Sequence, residues 1–312
     1  MNINRDNSSL TILTPLIYFV TLFYSFGVLL MTYFVGFPTF DRIHENVEAA
    51  MTIFSHRMIV ISTIPMFLNA IFGVMLLKFN DRYFPRIVIW ISILLCSVSL
   101  ISNLLLISSY SDLHTTGFTG EAKSWIIFMS ANFQIIPLII QIFLAFWLLN
   151  NHLQDTMWFG RWLFLLLFSF TFFALGTDFV EKYVNYPIWA TVGEKDWIEF
   201  RHATVSQAFI GVYLLPAILP LLFVLPMFWR SPLGVSKLLM TIFILIMIWV
   251  SVITGNYFMP KLQAPLWSAY SKPLIEELMR NDLPLRVLPL LIMQTITAIM
   301  FFKIGLHKID RT

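Results

Sequence analysis

Two pairs of chemically reactive side chains stand out in the second half of the chain, and each pair has helical spacing. Glu199 and His202 lie three residues apart in "EFRHATVSQAF" (199–209), where a polar segment meets a long apolar run. Asp178 and Glu181 have the same spacing in the preceding apolar segment. Residues three apart share one face of a helix, so each pair presents two polar groups in one direction. Carboxylate and imidazole groups together can hold a metal ion or move a proton.

Two further polar residues belong to the same candidate site. Asn256 ends the next apolar run and Arg286 begins the last one. Apolar runs of about 20 residues are typical of membrane helices. Charged residues at membrane depth usually face the protein interior and are paired. We expect Arg286 to balance the charge of an anionic substrate or intermediate. The alternative is that these charges are solvated helix ends, an interpretation that is weakest for Asp178, the deepest of them.

The candidate metal ligands are Glu199, His202, Asp178 and Glu181. A Glu-x-x-His motif on a helix is one element of a carboxylate-bridged di-metal centre, which needs two such motifs and two more glutamates. The position in the first half that corresponds to Glu199 is Ile53, so a complete di-metal centre is not expected. A mononuclear site of His and carboxylate ligands stays open. Acid–base catalysis without a cofactor also stays open, with His202 as the base and Asp178 or Glu181 as a second acid or base.

Haem is the less favoured cofactor. His56 and His202 each follow a phenylalanine by two residues, at the start of corresponding apolar runs. They could serve as the two axial ligands of one haem, which makes His56 a candidate cofactor-binding residue. The other histidines fall in loops or at the C-terminal end, whereas membrane cytochromes usually carry several within their helices. Hydrogen bonding between helices is the simpler interpretation of His56.

The elements that must position these residues are membrane helices. Of the 312 residues, 58% are hydrophobic and 12% are charged, and the mean hydropathy is +0.80. Soluble domains carry about 25% charged residues. In lipid the backbone must satisfy its own hydrogen bonds, so apolar runs of this length are helices. The sequence therefore predicts an all-α integral membrane protein with eight transmembrane helices, at about residues 11–37, 55–78, 84–110, 124–150, 160–185, 200–228, 233–257 and 284–306.

Charge in the connecting segments predicts the orientation. Eight spans place both termini on one side, and Lys and Arg are divided equally between the two sides, ten and ten. The terminus-side loops are short and carry four of the 17 acidic residues. We therefore expect both termini in the cytoplasm, in a bacterial inner membrane, and the first span to be a retained helix instead of a cleaved signal. The long loops on the far side should carry the functional elements.

The chain also looks duplicated. Gly27 and Gly176 are 149 residues apart, as are Pro38 and Pro187, and the order of features around them is the same. Four spans per half make the halves parallel repeats, related by an axis along the membrane normal. The sequence predicts two parallel four-helix-bundle repeats, residues 1–155 and 156–312, with the carboxylates and the candidate site in the second.

Two segments, "GVLLMTYFVGFP" (27–38) and "GTDFVEKYVNYP" (176–187), resemble the anthrone-oxygenase-like family of four-helix membrane proteins. The exit "GNYFMPKL" (255–262) is loosely similar to that family's Asn- and Pro-containing exit. The chain departs from the family by its double length and by the absence of that exit in the first half. The resemblance implies an integral-membrane oxygenase or related redox enzyme acting on a small hydrophobic compound, aromatic or quinone-like.

The expected function is accordingly a membrane redox enzyme for a small hydrophobic substrate that enters from the lipid bilayer, with a possible metal ion. A proton-coupled transporter or binding protein for a small anion or lipid is the alternative, with Asp178 and Glu181 as the coupling carboxylates. A structural subunit that docks through residues 262–285 is the third class. No basic cluster is large enough to follow a phosphate backbone, so nucleic acid is not an expected partner. The single cysteine, Cys96, excludes disulfides within the chain.

Overall fold

A computed structural model describes residues 5–78, 84–116, 118, 120–153, 157–204 and 207–309. Within these residues every secondary-structure element is a helix, and eight helices are long and apolar enough to cross a bilayer. The prediction of a multi-pass all-α membrane protein is therefore confirmed. We number these eight helices α1 to α8 in chain order: Leu10–Phe40, Val47–Leu76, Arg86–Tyr110, Gly120–His152, Trp158–Trp189, Ile210–Arg230, Lys237–Gln263 and Lys272–His307. The predicted boundary between the halves, at 155 and 156, lies outside the described residues.

The segment predicted as a long loop at 258–283 is mostly helical. Helix α7 continues to Gln263, and α8 begins at Lys272 instead of near residue 284. The first three turns of α8 are amphipathic, because Ile275 and Leu278 are buried while Glu276, Glu277 and Arg280 beside them are charged. Mean hydropathy identifies only the apolar core of a membrane helix. An amphipathic extension beyond that core still has apolar residues at helical spacing, but its mean hydropathy is low. The prediction of a loop at these residues was therefore wrong.

Wide π-helical turns interrupt seven of the eight long helices. A proline follows two residues after every one of these wide turns. In α7 it is Pro265, just beyond the helix end. In the other six helices it lies within the helix: Pro38, Pro65, Pro137, Pro187, Pro216 and Pro289. Proline lacks an N–H and its ring collides with the carbonyl four residues earlier, so a local π adjustment lets the helix continue. The wide turns are Thr32–Gly36, Ile59–Thr63, Ser130–Ile135, Val180–Asn185, Ile210–Leu214, Leu283–Val287 and, in α7, the longer Thr254–Gln263.

Helices α1 and α5 form the centre of the molecule and are its most buried spans. They cross where two glycines face each other. A Cβ on Gly27 would overlap the backbone at Phe173 and Thr177, and a Cβ on Gly176 would overlap the backbone at Tyr24. Only a residue without a side chain permits this approach, as is common between membrane helices. Helices α6 and α7 lie at the outside and are the most exposed.

The core has two layers along the helix axes. One apolar cluster fills the end of the bundle where α1 begins and α8 ends, and it includes Ile12 and Ile304. The second fills the opposite end, where aromatic side chains such as Phe54 and Trp189 dominate. The candidate site lies in this second layer.

A cap of connecting segments covers the second layer. The Asp196 carboxylate accepts hydrogen bonds from the backbone N–H groups of His44 and Glu45, each at 2.6 Å. The Trp197 indole donates to the carbonyl of Leu266 at 2.8 Å. These contacts tie three connecting segments together: the segment after α1, the short helix Trp197–Thr204 and the segment before α8.

Candidate functional site

Helix α5 carries a polar face at the start of its wide turn. The Lys182 ammonium is 2.9 Å from the carboxylate of Asp178, one helical turn earlier. From α6, the Tyr213 hydroxyl donates to the other oxygen of Asp178 at 2.8 Å. Glu181 is buried on the same helix and accepts a hydrogen bond from Asn185 at 2.7 Å. The wide turn, Val180–Asn185, points these groups into the protein.

Helix α8 brings a second acid–base pair to the same level. The Arg286 guanidinium donates to Asp282, one turn earlier, and both side chains are buried. It also donates to the Tyr186 hydroxyl of α5 at 3.1 Å, and it lies 3.8 Å from the ring centroid of Phe258. A cation stacked on an aromatic face is stabilised by the ring quadrupole, most strongly when desolvated. Arg286 therefore contacts a carboxylate, a hydroxyl group and an aromatic ring.

Lys182 joins the two pairs. Its ammonium is 3.7 Å from Oδ2 of Asp282, so it lies between a carboxylate of α5 and a carboxylate of α8. The i, i+4 pairs within each helix set the positions of the charges, and Lys182 connects the two helices. Breaking one member of such a buried set leaves an unpaired charge in an apolar environment, which is strongly destabilising.

Arg201 lies on the short helix Trp197–Thr204 and is a further buried charged residue beside these two pairs. It donates to Gln263 at the end of α7 and stacks on the ring of Trp189 at 4.2 Å. Burial lowers the pKa of Arg201, and the negative charge of Glu181 acts in the opposite direction. Glu181 is thus close enough to Arg201 to stabilise its charge.

These groups form what we term the ionic cluster. It contains three acids and three bases, all of which have little exposure: Asp178, Glu181, Asp282, Lys182, Arg201 and Arg286. With all six ionised, the cluster has no net charge. That balance reduces the cost of placing charges at membrane depth.

A cavity of about 380 Å³ lies beside the ionic cluster, between α5 and α8 with one residue from α2. We term it the lateral cavity. Its walls are mainly apolar, and Asp178, Lys182 and Asp282 line its polar end. The rim includes the exposed side chains of Tyr183 and Leu283, so the cavity opens at the side of the bundle. The full lining is Arg57, Leu175, Asp178, Phe179, Lys182, Tyr183, Tyr186, Pro187, Met279, Asp282, Leu283, Val287, Leu290 and Leu291.

The structure does not bring the predicted pair Glu199 and His202 into this cluster. On the short helix, Trp197, Phe200 and Arg201 form the buried face, so Glu199 and His202 point outward and are exposed. The Glu199 side chain is 69% exposed and lies 3.7 Å from Arg42. Their three-residue spacing does place them on one face, but it is the outer face.

The predicted metal site is therefore not assembled. Among the described residues, no three His, Cys, Asp or Glu side chains are grouped as ligands of one ion. Asp178 and Glu181 lie inside the bundle, while Glu199 and His202 lie on the surface of the cap. The expectation of a site from these four residues was wrong because the two helical faces point in different directions.

Two other predicted residues also lie outside the cluster. Asn256 is exposed and donates to the carbonyl of Val252 in its own helix, at 3.0 Å. His56 is exposed on α2, where the buried face is formed by Phe54, Ser55 and Met58. Since His56 and His202 both point outward, the structure does not place them across an enclosed space that could hold a haem.

Of the predicted site residues, Asp178, Glu181 and Arg286 do converge. The sequence interpretation missed Asp282, because it fell in the segment taken as a loop. A usable signal was present in the sequence: Asp282 and Arg286 have the same i, i+4 spacing as Asp178 and Lys182. Two oppositely charged pairs with helical spacing beside apolar runs indicate a buried network better than a single Glu-x-x-His motif does.

Comparison of the chain with known family models, with curated protein sequences and with solved structures finds no match. The site must therefore be interpreted from its own geometry.

Proposed function

We propose that this chain is a membrane protein that binds a lipid-soluble amphiphile in the lateral cavity. The observation that carries the proposal is a cavity with apolar walls, a charged inner end and an opening at the side of the bundle. This places it within the alternative class predicted from the sequence, a binding protein or transporter for a lipid-like molecule. The enzyme class is retained as a second prediction.

The size and lining of the cavity support an amphiphilic ligand. Small-molecule sites are clefts of about 300–1,000 Å³ with mainly apolar walls and a few polar groups that fix orientation. The lateral cavity, at about 380 Å³, is near the lower limit of this range. Leu175, Phe179 and Leu290 supply an apolar wall, and Lys182 and Asp282 supply polar groups at one end. A ligand whose alkyl chain remains in contact with lipid and whose polar headgroup reaches the ionic cluster fits this arrangement.

The opening is bordered by a side chain from the first half of the chain. The Arg57 guanidinium of α2 donates to the carbonyl of Tyr183 and lies 4.7 Å from the centroid of its ring. Arg57 thus fixes the wide turn of α5 from the α2 side of the cavity. We propose that this contact holds the rim in place for entry of the ligand from the bilayer.

A photoreactive amphiphile with a diazirine in its alkyl chain tests the proposal in lipid nanodiscs. We expect saturable labelling in peptides that contain residues 175–187 or 279–291. Leu290→Trp fills the cavity and should reduce this labelling at least tenfold. Ile292→Trp is the matched control, because Ile292 is on the same helix, is exposed and does not line the cavity.

The control should label as the wild type does. Equal labelling of the wild type and of Leu290→Trp would contradict the proposal, since the label would then report lipid contact alone.

We also propose that the chain consists of two parallel four-helix repeats, residues 1–155 and 156–312. The wide turns support this proposal, because Thr32–Gly36 and Val180–Asn185 end 149 residues apart and each is followed by Phe-Pro or Tyr-Pro. The mutual contact of Gly27 and Gly176, which are also 149 apart, is the type expected across a two-fold axis.

The proposed orientation places both termini in the cytoplasm and the cap outside it. The charge distribution of the loops supports this orientation. A reporter enzyme that is active only in the cytoplasm, fused after residue 312, should be active. Activity of a periplasm-specific reporter at the same position would reverse the orientation and leave the cavity unaffected.

The redox activity, together with the resemblance to the anthrone-oxygenase-like family, remains a prediction. Metal analysis and an ultraviolet–visible spectrum of gently purified protein test it directly. A stoichiometric metal or haem would support the enzyme class, and the lateral cavity would then be its substrate site. Loss of the metal in Asp178→Ala with retention in His202→Ala would assign the ligands to the ionic cluster.

A further inference from the structure

We propose that the polar end of the ligand in the lateral cavity is an uncharged hydroxyl group, held between Lys182 and Asp282. The ligand class is a neutral long-chain alcohol or phenol. This inference rests on the proposed binding function and specifies the ligand of the same site.

The geometry at the polar end points to a hydrogen-bond donor. Oδ1 of Asp282 accepts from Arg286, whereas Oδ2 is buried and has no hydrogen-bond partner among the described residues. The Lys182 ammonium is 3.7 Å from Oδ2, which exceeds the length of a hydrogen bond. A buried carboxylate oxygen without a donor is costly, so a ligand that supplies one gains affinity.

Lys182 adds the complementary requirement. Its ammonium has three N–H donors, and Asp178 accepts one of them at 2.9 Å. A group placed beside both side chains should accept from Lys182 and donate to Asp282. A hydroxyl group does both through one oxygen atom. An ether or ester can only accept, and it would leave Oδ2 of Asp282 unsatisfied.

The charge balance argues against an ionic headgroup. With all six side chains ionised, the three acids and three bases of the ionic cluster carry no net charge. An ammonium or carboxylate headgroup at the polar end would meet charges that are already paired, Lys182 with Asp178 and Arg286 with Asp282. It would therefore add a buried charge at a large desolvation cost. The other charged residue of the lining, Arg57, is held at the opening by the carbonyl and ring of Tyr183. A hydroxyl group satisfies the polar end without changing the charge.

A competition series with matched chains tests the inference on the wild-type protein in nanodiscs. The photoreactive amphiphile is displaced by dodecanol, its methyl ether, dodecylammonium or dodecanoate, each dosed as a mole fraction of the lipid. We expect dodecanol to displace the label at about tenfold lower mole fraction than the ether, the ratio for one hydrogen bond to a charged group. The two ionic compounds should compete more weakly than dodecanol.

Asp282→Asn replaces the hydrogen-bond acceptor at Oδ2 with a hydrogen-bond donor. Its amide oxygen can still accept from Arg286, while its NH₂ group replaces Oδ2 and donates instead of accepting. The ratio between dodecanol and the ether should then fall to about one, mainly because the ether gains affinity. The wild-type series decides the question by itself if this variant fails to fold.

The outcomes separate the two proposals. Absence of cavity labelling, or labelling that is equal in Leu290→Trp, overturns the binding function. Cavity labelling with equal competition by dodecanol and the ether, or with stronger competition by dodecylammonium or dodecanoate, overturns only the hydroxyl headgroup.

Discussion

The lateral cavity of the C-terminal half ends in buried charges, whereas a cavity of similar size in the N-terminal half is lined by aromatic rings. The second cavity, of about 350 Å³, lies between α1 and α4 and is lined by Tyr33, Phe34, Phe37, Pro38, Asp41, Phe118, Lys123 and Ile127. Its ion pair, Lys123 and Asp41 at 2.7 Å, is one-third or more exposed on each side. The ion pairs that line the cavity are thus largely buried in the C-terminal half, whereas the ion pair of the N-terminal cavity is partly exposed.

Residues at corresponding positions of the two halves differ in charge. For the five residues of the ionic cluster that lie on α5 and α8, the residue 149 or 152 positions earlier is uncharged. The pairs are Leu29 and Asp178, Thr32 and Glu181, Tyr33 and Lys182, Ser130 and Asp282, and Gln134 and Arg286. Similar helices therefore carry two different types of interior.

Amide and hydroxyl groups hold the N-terminal half together. Oδ1 of Asn103 accepts from Gln134 at 3.1 Å and from Ser62 at 3.2 Å. Further along the helices, Gln141 donates to Asn69 at 2.9 Å. Such neutral bonds between membrane helices contribute about 0.6 kcal/mol each on average. Neutral groups thus connect the helices of the N-terminal half, where the C-terminal half has buried charges. This difference supports the proposal that the charges serve the lateral cavity.

The largest expected effect comes from converting one charged position to its neutral counterpart. Arg286→Gln introduces the residue found at position 134 and leaves Asp282 buried without its arginine. We expect a loss of about 3–5 kcal/mol in the free energy of unfolding, the typical cost of removing one partner of a buried ion pair. Unfolding in detergent, followed by circular dichroism, measures it.

The double variant Asp282→Ser/Arg286→Gln is the matched control. It reproduces the Ser130 and Gln134 pair, and it leaves two acids and two bases in the cluster. Stability should return to within about 1–2 kcal/mol of the wild type, because an ion pair can often be replaced without net loss while a lone charge cannot. A double variant as unstable as Arg286→Gln would show that the charges are needed for folding and would contradict the comparison.

Much of the fold could be predicted from the sequence, since the apolar runs fix the number of helices and their approximate ends. The inward residues of the C-terminal half were only partly predictable. Asp178 could be assigned because it lies well inside an apolar run, where a charge must be buried or paired. Asp282 could not be assigned from hydropathy, because α8 extends in amphipathic form beyond its apolar core.

The errors at Glu199 and His202 have a different cause. Spacing gives the face that two residues share, but the direction of that face depends on which side of the helix packs against the protein. The positions of Trp197, Phe200 and Thr204, all buried, define the inner face by helical periodicity. Comparing the polar pair with this apolar pattern would have placed Glu199 and His202 outside.

The second effect tests the equivalence of the halves at their contact. Gly27→Ala and Gly176→Ala each place a Cβ against the backbone of the opposite helix. Overpacking of this kind costs about 1–3 kcal/mol, and equivalent positions should lose similar amounts. Gly211→Ala is the control, because no atom lies within 4 Å of its added Cβ. If only one of the two glycines tolerates alanine, the halves are not equivalent at this crossing.

The smallest effect is expected at Lys123, the lysine of the N-terminal cavity, and Lys182 is its buried counterpart. Lys123→Met removes a partly exposed partner of Asp41, and exposed ion pairs contribute about 0–1 kcal/mol. Lys182→Met makes the same substitution but removes the cation between Asp178 and Asp282. It should therefore lower the free energy of unfolding several-fold more than Lys123→Met does. Unfolding at low and high salt separates the two, because salt screens an exposed pair more than a buried one.

If both lysine variants lost the same stability with the same salt dependence, the exposed and buried ion pairs would be energetically alike. The charges of the C-terminal cavity would then have no special role, and its polar end would offer a ligand no more than the aromatic cavity of the N-terminal half does.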